Sequence, residues 1–154
     1  MKSKKQKKYQ RKNNGFTLLE VLLVVGIIGI LAGIVIFAIN PNKQLGDSRN
    51  TQRKSDVQTI ANSVYQYAID NGSIPASIPS VVPGEVCKTG ASSCAGYINL
   101  SVLTTNGKYL PSLPLDPKVV STNGTGYFIL KTVDNRISVI APLAENSANI
   151  AVTK

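Results

Sequence analysis

Nineteen consecutive residues, Val21 to Ile39, carry no charge. At 1.5 Å per residue a helix of that length is roughly 28 Å long, about the thickness of a bilayer's hydrocarbon core. The run predicts a membrane-spanning helix near the start of the chain. Directly ahead of it stand Gly15-Phe16-Thr17-Leu18-Leu19-Glu20, and Glu20 is what an ordinary anchor leaves unexplained. A carboxylate one turn inside an apolar segment costs on the order of 2.5–3.5 kcal/mol to insert unless a cation meets it. No Lys or Arg lies between Lys12 and Lys43, so the partner has to be created by processing or brought by another subunit.

A secretory signal peptide would have an apolar core of about 7–15 residues and a small-x-small cleavage site beyond it. This core is longer and runs into Phe37-Ala38-Ile39-Asn40-Pro41 without such a site. A plain anchor fits the length and the basic flank, but not Glu20. The formal charge of +9 does not mark a nucleic-acid binder. Seven of the seventeen basic residues (Lys2, Lys4, Lys5, Lys7, Lys8, Arg11, Lys12) precede Gly15, and ten remain against eight acids from Phe16 onward. A leader held at an anionic inner leaflet accounts for the excess.

The basic leader, the Gly15-Phe16 junction, Glu20 and the long apolar run together resemble the processing site of type IV prepilins and of the pseudopilins of type II secretion systems. The resemblance implies that a prepilin peptidase cuts between Gly15 and Phe16, removing residues 1–15, and methylates the new amine of Phe16. It implies that Glu20 then pairs with the terminal amine of Phe16 in a neighbouring subunit as a filament assembles. The implied partners are further subunits of a homopolymeric or mixed filament, the peptidase, and a pilus or secretion assembly platform in the membrane. The implied location is the inner or cytoplasmic membrane, single-pass with the head outside, and then an extracellular or envelope-spanning filament. Many major pilins carry a proline mid-helix; this chain has Phe37 there and its first proline at Pro41.

Within the apolar helix Gly26, Gly29 and Gly33 each cost roughly 1 kcal/mol relative to Ala. Gly29 and Gly33 form a small-x-x-x-small pair that would allow close helix approach, or are simply membrane-helix glycines. Beyond Asn42 a helical period persists: Val57, Ile60, Ala61, Val64 and Ala68 share one face, with Arg53, Lys54, Asp56, Gln58 and Gln66 mostly off it. Asp70-Asn71-Gly72 closes this helix, and Pro75 prevents resumption. One long helix is therefore predicted from about 16 to 71, with a bend possible at Pro41. Residues 16–41 form its apolar assembly half and 42–72 its amphipathic continuation.

Residues 73–154 read as a small globular head. Pro75, Pro79, Pro83, Gly84 and Gly90 predict an irregular loop over 73–96. Cys87 and Cys94, the chain's two cysteines, are expected to be bridged, since a head outside the membrane sits where a disulfide persists. Tyr97 to Leu103 reads as a short strand or helical turn, and 108–117 as a proline-bound crossing loop. Gly126 to Thr132 and Arg136 to Ala141 are rich in β-forming residues around Asp134-Asn135, which predicts an antiparallel hairpin on the helix stripe. Residues 142–154 give no strong signal. The fold class is α+β: a long N-terminal helix packed against a small antiparallel β head.

Catalytic chemistry is not expected. The chain has no histidine, neither cysteine has an activating partner, and no phosphate-cradling loop is present. No cofactor or metal is expected: Asp116, Asp134 and Glu145 suggest a calcium site only by being carboxylates, and read better as surface acids. The six tyrosines read as packing residues, which leaves nucleic acid open. Asn99-Leu100-Ser101 and Asn123-Gly124-Thr125 match the short glycan-acceptor pattern. The function expected is that of a structural subunit of a type IV pilus-like filament. A pseudopilin of a type II secretion or DNA-uptake machine is the alternative within the family, and a membrane-tethered monomeric binding module the alternative outside it.

Overall fold

The computed structural model describes residues 15–38 and 40–154; of the leader expected over 1–15, all but Gly15 lies outside them. The elements are helices α1 (Leu18–Ala38), α2 (Pro41–Asn71) and α3 (Ser101–Thr104), a 3-10 turn (Thr105–Gly107), and strands β1 (Gly84–Cys87), β2 (Gly124–Lys131), β3 (Ile137–Ile140) and β4 (Ala151–Thr153). The chain divides into two compact units between Pro41 and Asn42.

The first unit is built on α1, 21 residues with none buried. A helix apolar on every side has no preferred face for a protein core, so its surroundings must be apolar on every side too. Gly26, Gly29 and Gly33 open onto empty space in the isolated chain. The long helix predicted over 16–71 begins at Leu18 and ends at Asn71, interrupted where Asn40 is non-helical. Pro41 is the reason. Its ring has no N–H to give and drives the preceding residue out of the helical region, yet it fits the first position of a new helix without loss.

In the second unit, α2 carries the apolar stripe. Val57, Ile60, Ala61 and Val64 are fully buried, and Ala68 is half-buried. The helix stops where expected, with Gly72 at φ +71° taking the left-handed position past its end. The stripe belongs to one core with Val86, Tyr127, Ile129, Ile137 and Val139 of the sheet and Leu100, Leu103, Leu110 and Leu113 of the connections. Each such aliphatic side chain contributes about 1.5–3 kcal/mol on full burial.

The sheet is a four-stranded antiparallel meander in the order β1-β2-β3-β4. The predicted hairpin is β2–β3, with Phe128 opposite Ile140 and Lys131 opposite Ile137. Its turn closes through Thr132 N–H donating to the Arg136 carbonyl at 2.7 Å, with Asn135 at φ 61°; Asn tolerates that conformation. Two strands depart from the sequence reading. β1 lies inside the loop expected over 73–96, where Pro83 bounds a strand too short to show alternation, and β4 lies in the tail that gave no signal. In the Tyr97–Leu103 stretch, Ile98 bridges to Val86 and α3 follows.

Candidate processing and assembly site

Gly15, Phe16 and Thr17 are non-helical and exposed, Phe16 by 82%. Glu20 follows in the first turn of α1, also exposed. The Glu20 backbone N–H donates to Thr17 Oγ1 at 3.2 Å, and the Val21 N–H donates to the Thr17 carbonyl at 3.2 Å. Thr17 is therefore the N-cap of α1, with Glu20 at the third helical position, the Thr-x-x-Glu spacing of a capping box. The unpaired amides of a helix start form its positive end, which favours a carboxylate there. The sequence reading missed this cap, although the four-residue spacing carries its signal.

In the head, two of the three acids weighed as calcium ligands, Asp116 and Glu145, are already engaged and withdrawn from the surface. Asp116 is buried and accepts two bonds from Arg53, from Nε at 2.6 Å and Nη2 at 3.0 Å. Glu145 accepts from Arg49 at 2.6 and 2.7 Å, from Arg53 Nη1 at 3.0 Å and from Lys118 Nζ at 3.2 Å. Asp134 sits exposed in the β2–β3 turn, as a surface acid. Among the described residues no group of three or more such ligands forms a metal site.

Arg53 and Asp56, assigned by the sequence reading to the solvent side of α2, are 0% and 5% exposed. The signal was present: Gly46, Asn50 and Arg53 continue the Val57–Ile60–Val64 spacing one face toward the helix start, and all are buried. A polar extension of an apolar stripe looks like a helix leaving the core; here it is the core turning ionic. Asp56 accepts from Tyr127 Oη at 2.6 Å and from Gln52 at 2.8 Å. Its burial and that bond push the Tyr127 hydroxyl well above its usual range. The bond to Asp116 foremost raises Arg53 further. Arg49, then Arg53 and Lys118, hold the Glu145 carboxyl well below the ordinary carboxylate range.

The β3–β4 loop is clasped to α2 by its backbone as well. Glu145 N–H donates to Asn50 Oδ1 at 2.9 Å while Asn50 Nδ2 donates back to the Glu145 carbonyl at 2.8 Å. Asn146 Nδ2 donates to the Lys43 carbonyl and to Asp47. Gly46 makes room, since a Cβ there would lie 2.8 Å from Asn146 Nδ2.

Cys87 and Cys94 are bridged, with Cα atoms 5.6 Å apart. Of the glycan-pattern asparagines, Asn99 is exposed and accepts from the Ser101 N–H, while the Thr125 hydroxyl of the second pattern is fully buried on the Val86 carbonyl. Tyr127 is a packing residue, and Tyr67 and Tyr109 meet edge to face with ring centres 5.7 Å apart.

Residues 10–36 match the family model of the prokaryotic N-terminal methylation motif. The chain is 32% identical over 108 residues to the type II secretion system core protein G of Aeromonas hydrophila, covering 70% of this chain and 69% of that protein. It is 31% identical to the Escherichia coli (strain K12) protein of the same name, over 69% of this chain and 67% of that one. The Pseudomonas aeruginosa counterpart is 29% identical over 70% of each chain. No solved structure matches. With the methylation motif placed on the capped start of an unburied apolar helix, and the likeness running on into the head, the chain belongs to the family of type II secretion system core protein G, the pseudopilins.

Proposed function

We propose that the chain is a structural subunit of a pilus-like filament that polymerises through α1. One observation carries this: a helix of 21 residues with no buried face begins two residues after the Phe16 of a Gly-Phe junction and bears a carboxylate in its first turn. Cleavage between Gly15 and Phe16 creates the missing cation, the amine of Phe16, and a neighbour's Glu20 receives it. Neighbouring copies of α1 supply the apolar surroundings in the filament, and the inner membrane supplies them beforehand. The role is structural, not catalytic.

The relatives' name favours a short secretion filament over a long surface fibre. Mass spectrometry of sheared or membrane-extracted filaments should find a chain starting at N-methylated Phe16. A mature start beyond Ala38, or a head found only as monomer, would support instead a signal peptide or a tethered binding module.

A further inference from the structure

This inference rests on the proposed cleavage, in which water adds across the Gly15–Phe16 amide and leaves a carboxylate on Gly15 and an amine on Phe16. Proteolytic cutting concentrates where the backbone is out of regular structure, so the amide must be kept out of α1. Little else in the sequence keeps it out. An apolar environment favours extending a helix, because every backbone N–H left unpaired there is costly. Three residues able to cap a helix, Asn13, Asn14 and Gly15, stand just upstream. A cap at Asn13 or Asn14 would put the Gly15–Phe16 amide inside the first turn, and a cap at Gly15 would put Phe16 at the first helical position. What competes with them is the bond from Glu20 N–H to Thr17 Oγ1 at 3.2 Å, together with the first i to i−4 bond, from Val21 to Thr17. Residues 15–17 are accordingly non-helical and exposed.

We propose that Thr17 is the positioning residue that starts α1 at Leu18, and that its capping oxygen keeps the Gly15–Phe16 amide cleavable. A peptidase that bound the Thr17 side chain directly would need its hydroxyl or its shape. A cap needs only an acceptor oxygen at this position, which Ser, Asp and Asn also supply.

The full-length precursor in detergent micelles, incubated with a prepilin peptidase, tests this. Thr17→Val, of the same shape but without the acceptor, should lower kcat/KM about fivefold or more, the equilibrium shift that an ordinary N-cap of ~1 kcal/mol represents. Thr17→Ser, Thr17→Asp and Thr17→Asn should stay within about twofold of wild type, since all three are caps. Adding Leu18→Pro to Thr17→Val should restore cutting without any capping oxygen, since proline at the first helical position bars the helix from continuing upstream. Amide exchange at Glu20 should quicken in Thr17→Val, showing that the cap itself was lost. Wild-type cutting of Thr17→Val would overturn the inference, as would Thr17→Asp and Thr17→Asn as slow as Thr17→Val. Both outcomes leave the cleavage standing, whereas an uncut wild-type precursor would remove the cleavage and this inference together.

Discussion

Arg53 and Asp116 meet inside the head as a two-bond ion pair, Nε to Oδ2 at 2.6 Å and Nη2 to Oδ1 at 3.0 Å, with no solvent reaching either side chain. They lie 63 positions apart in the chain, so the pair fastens the crossing loop to α2. Removing one partner of a buried pair strands the other charge, at a cost of about 3–5 kcal/mol. Arg53→Met should lower the unfolding free energy of the full chain in detergent by that order. Arg53→Met with Asp116→Asn should recover part of the loss, because the stranded carboxylate is gone. Urea titration of both variants checks it; a double variant worse than the single by the full cost of a second substitution would show that the two side chains act independently.

Glu145 makes the head sensitive to acid. Its carboxyl titrates near 4.5 when unperturbed and lies well below that in the folded head, chiefly through Arg49. Between those values the unfolded chain binds a proton that the folded chain does not, so stability rises with pH. The contribution is complete above about pH 5.5, roughly one unit over the unperturbed value, and is lost progressively as the pH falls below it. Glu145→Gln should be less stable at pH 7 and should show a shallower decline from pH 5 to 3. Urea midpoints measured across that range decide it; parallel declines in the two proteins would remove Glu145 as a source.

The Cys87–Cys94 bridge closes a loop whose ends are seven positions apart. A ring so small constrains the unfolded chain by only about 2–3 kcal/mol. The loop is also held by Lys88 N–H on the Asn123 carbonyl at 2.8 Å and by Leu113 N–H on Thr89 Oγ1 at 2.9 Å. Replacing both cysteines by serine should therefore leave a folded, less stable head. Thiol labelling of the unreduced, denatured protein should find no reactive thiol, and two would refute the bridge.

Gly126 sits at φ +81°, where an added Cβ would lie 2.8 Å from the Cβ of Asp116. The left-handed backbone alone costs an L-residue about 1–2 kcal/mol, and the collision falls on a residue of the buried ion pair. Gly126→Ala should cost more than Gly72→Ala, which has a similar φ of +71° but open space. Equal losses in thermal unfolding would mean that the Asp116 backbone yields freely.

Glu20→Ala bears on assembly alone. Glu20 shares no bonded partner with the head among the described contacts, so head stability should change by less than about 0.5 kcal/mol. The variant should still be cut and methylated but should fail to enter filaments, and Glu20→Asp, a methylene shorter, should enter them poorly. At ~4 Å a carboxylate and an amine attract by about 4 kcal/mol at an effective dielectric of 20, less desolvation. Fibre yield at equal precursor level is the measurement, and a normal yield from Glu20→Ala would show the carboxylate to be dispensable.

What the residues disclosed in advance followed the strength of their periodicity. The stripe Val57–Ile60–Ala61–Val64 and the β2–β3 hairpin were legible because each repeats its pattern several times. β1 and β4, of four and three residues, are too short for alternation to be distinguished from chance, and their partners are set by tertiary pairing. Arg53 and Asp116 were misplaced for another reason. Charge is read as exposure, and only the position of Arg53 on the stripe, one turn before Val57, argues against it. The Thr17 cap is legible in principle, since Thr17 and Glu20 stand at capping-box spacing directly ahead of the apolar run, but Glu20 is explained equally well by an assembly role and so does not by itself disclose the cap.

The clasp between α2 and the β3–β4 loop also sets an order of events during synthesis. Arg53 emerges from the ribosome long before its two carboxylate partners, which lie 63 and 92 positions later. Until Asp116 and then Glu145 have emerged, that guanidinium has no counter-charge to be buried with. With the head outside the membrane, as the proposed function has it, α1 would enter the bilayer at once, while the head would cross as an open chain and close only near the end of translocation. On that topology membrane insertion and head folding would be separated in time, and a nascent subunit would stay threadable for as long as it needs to be.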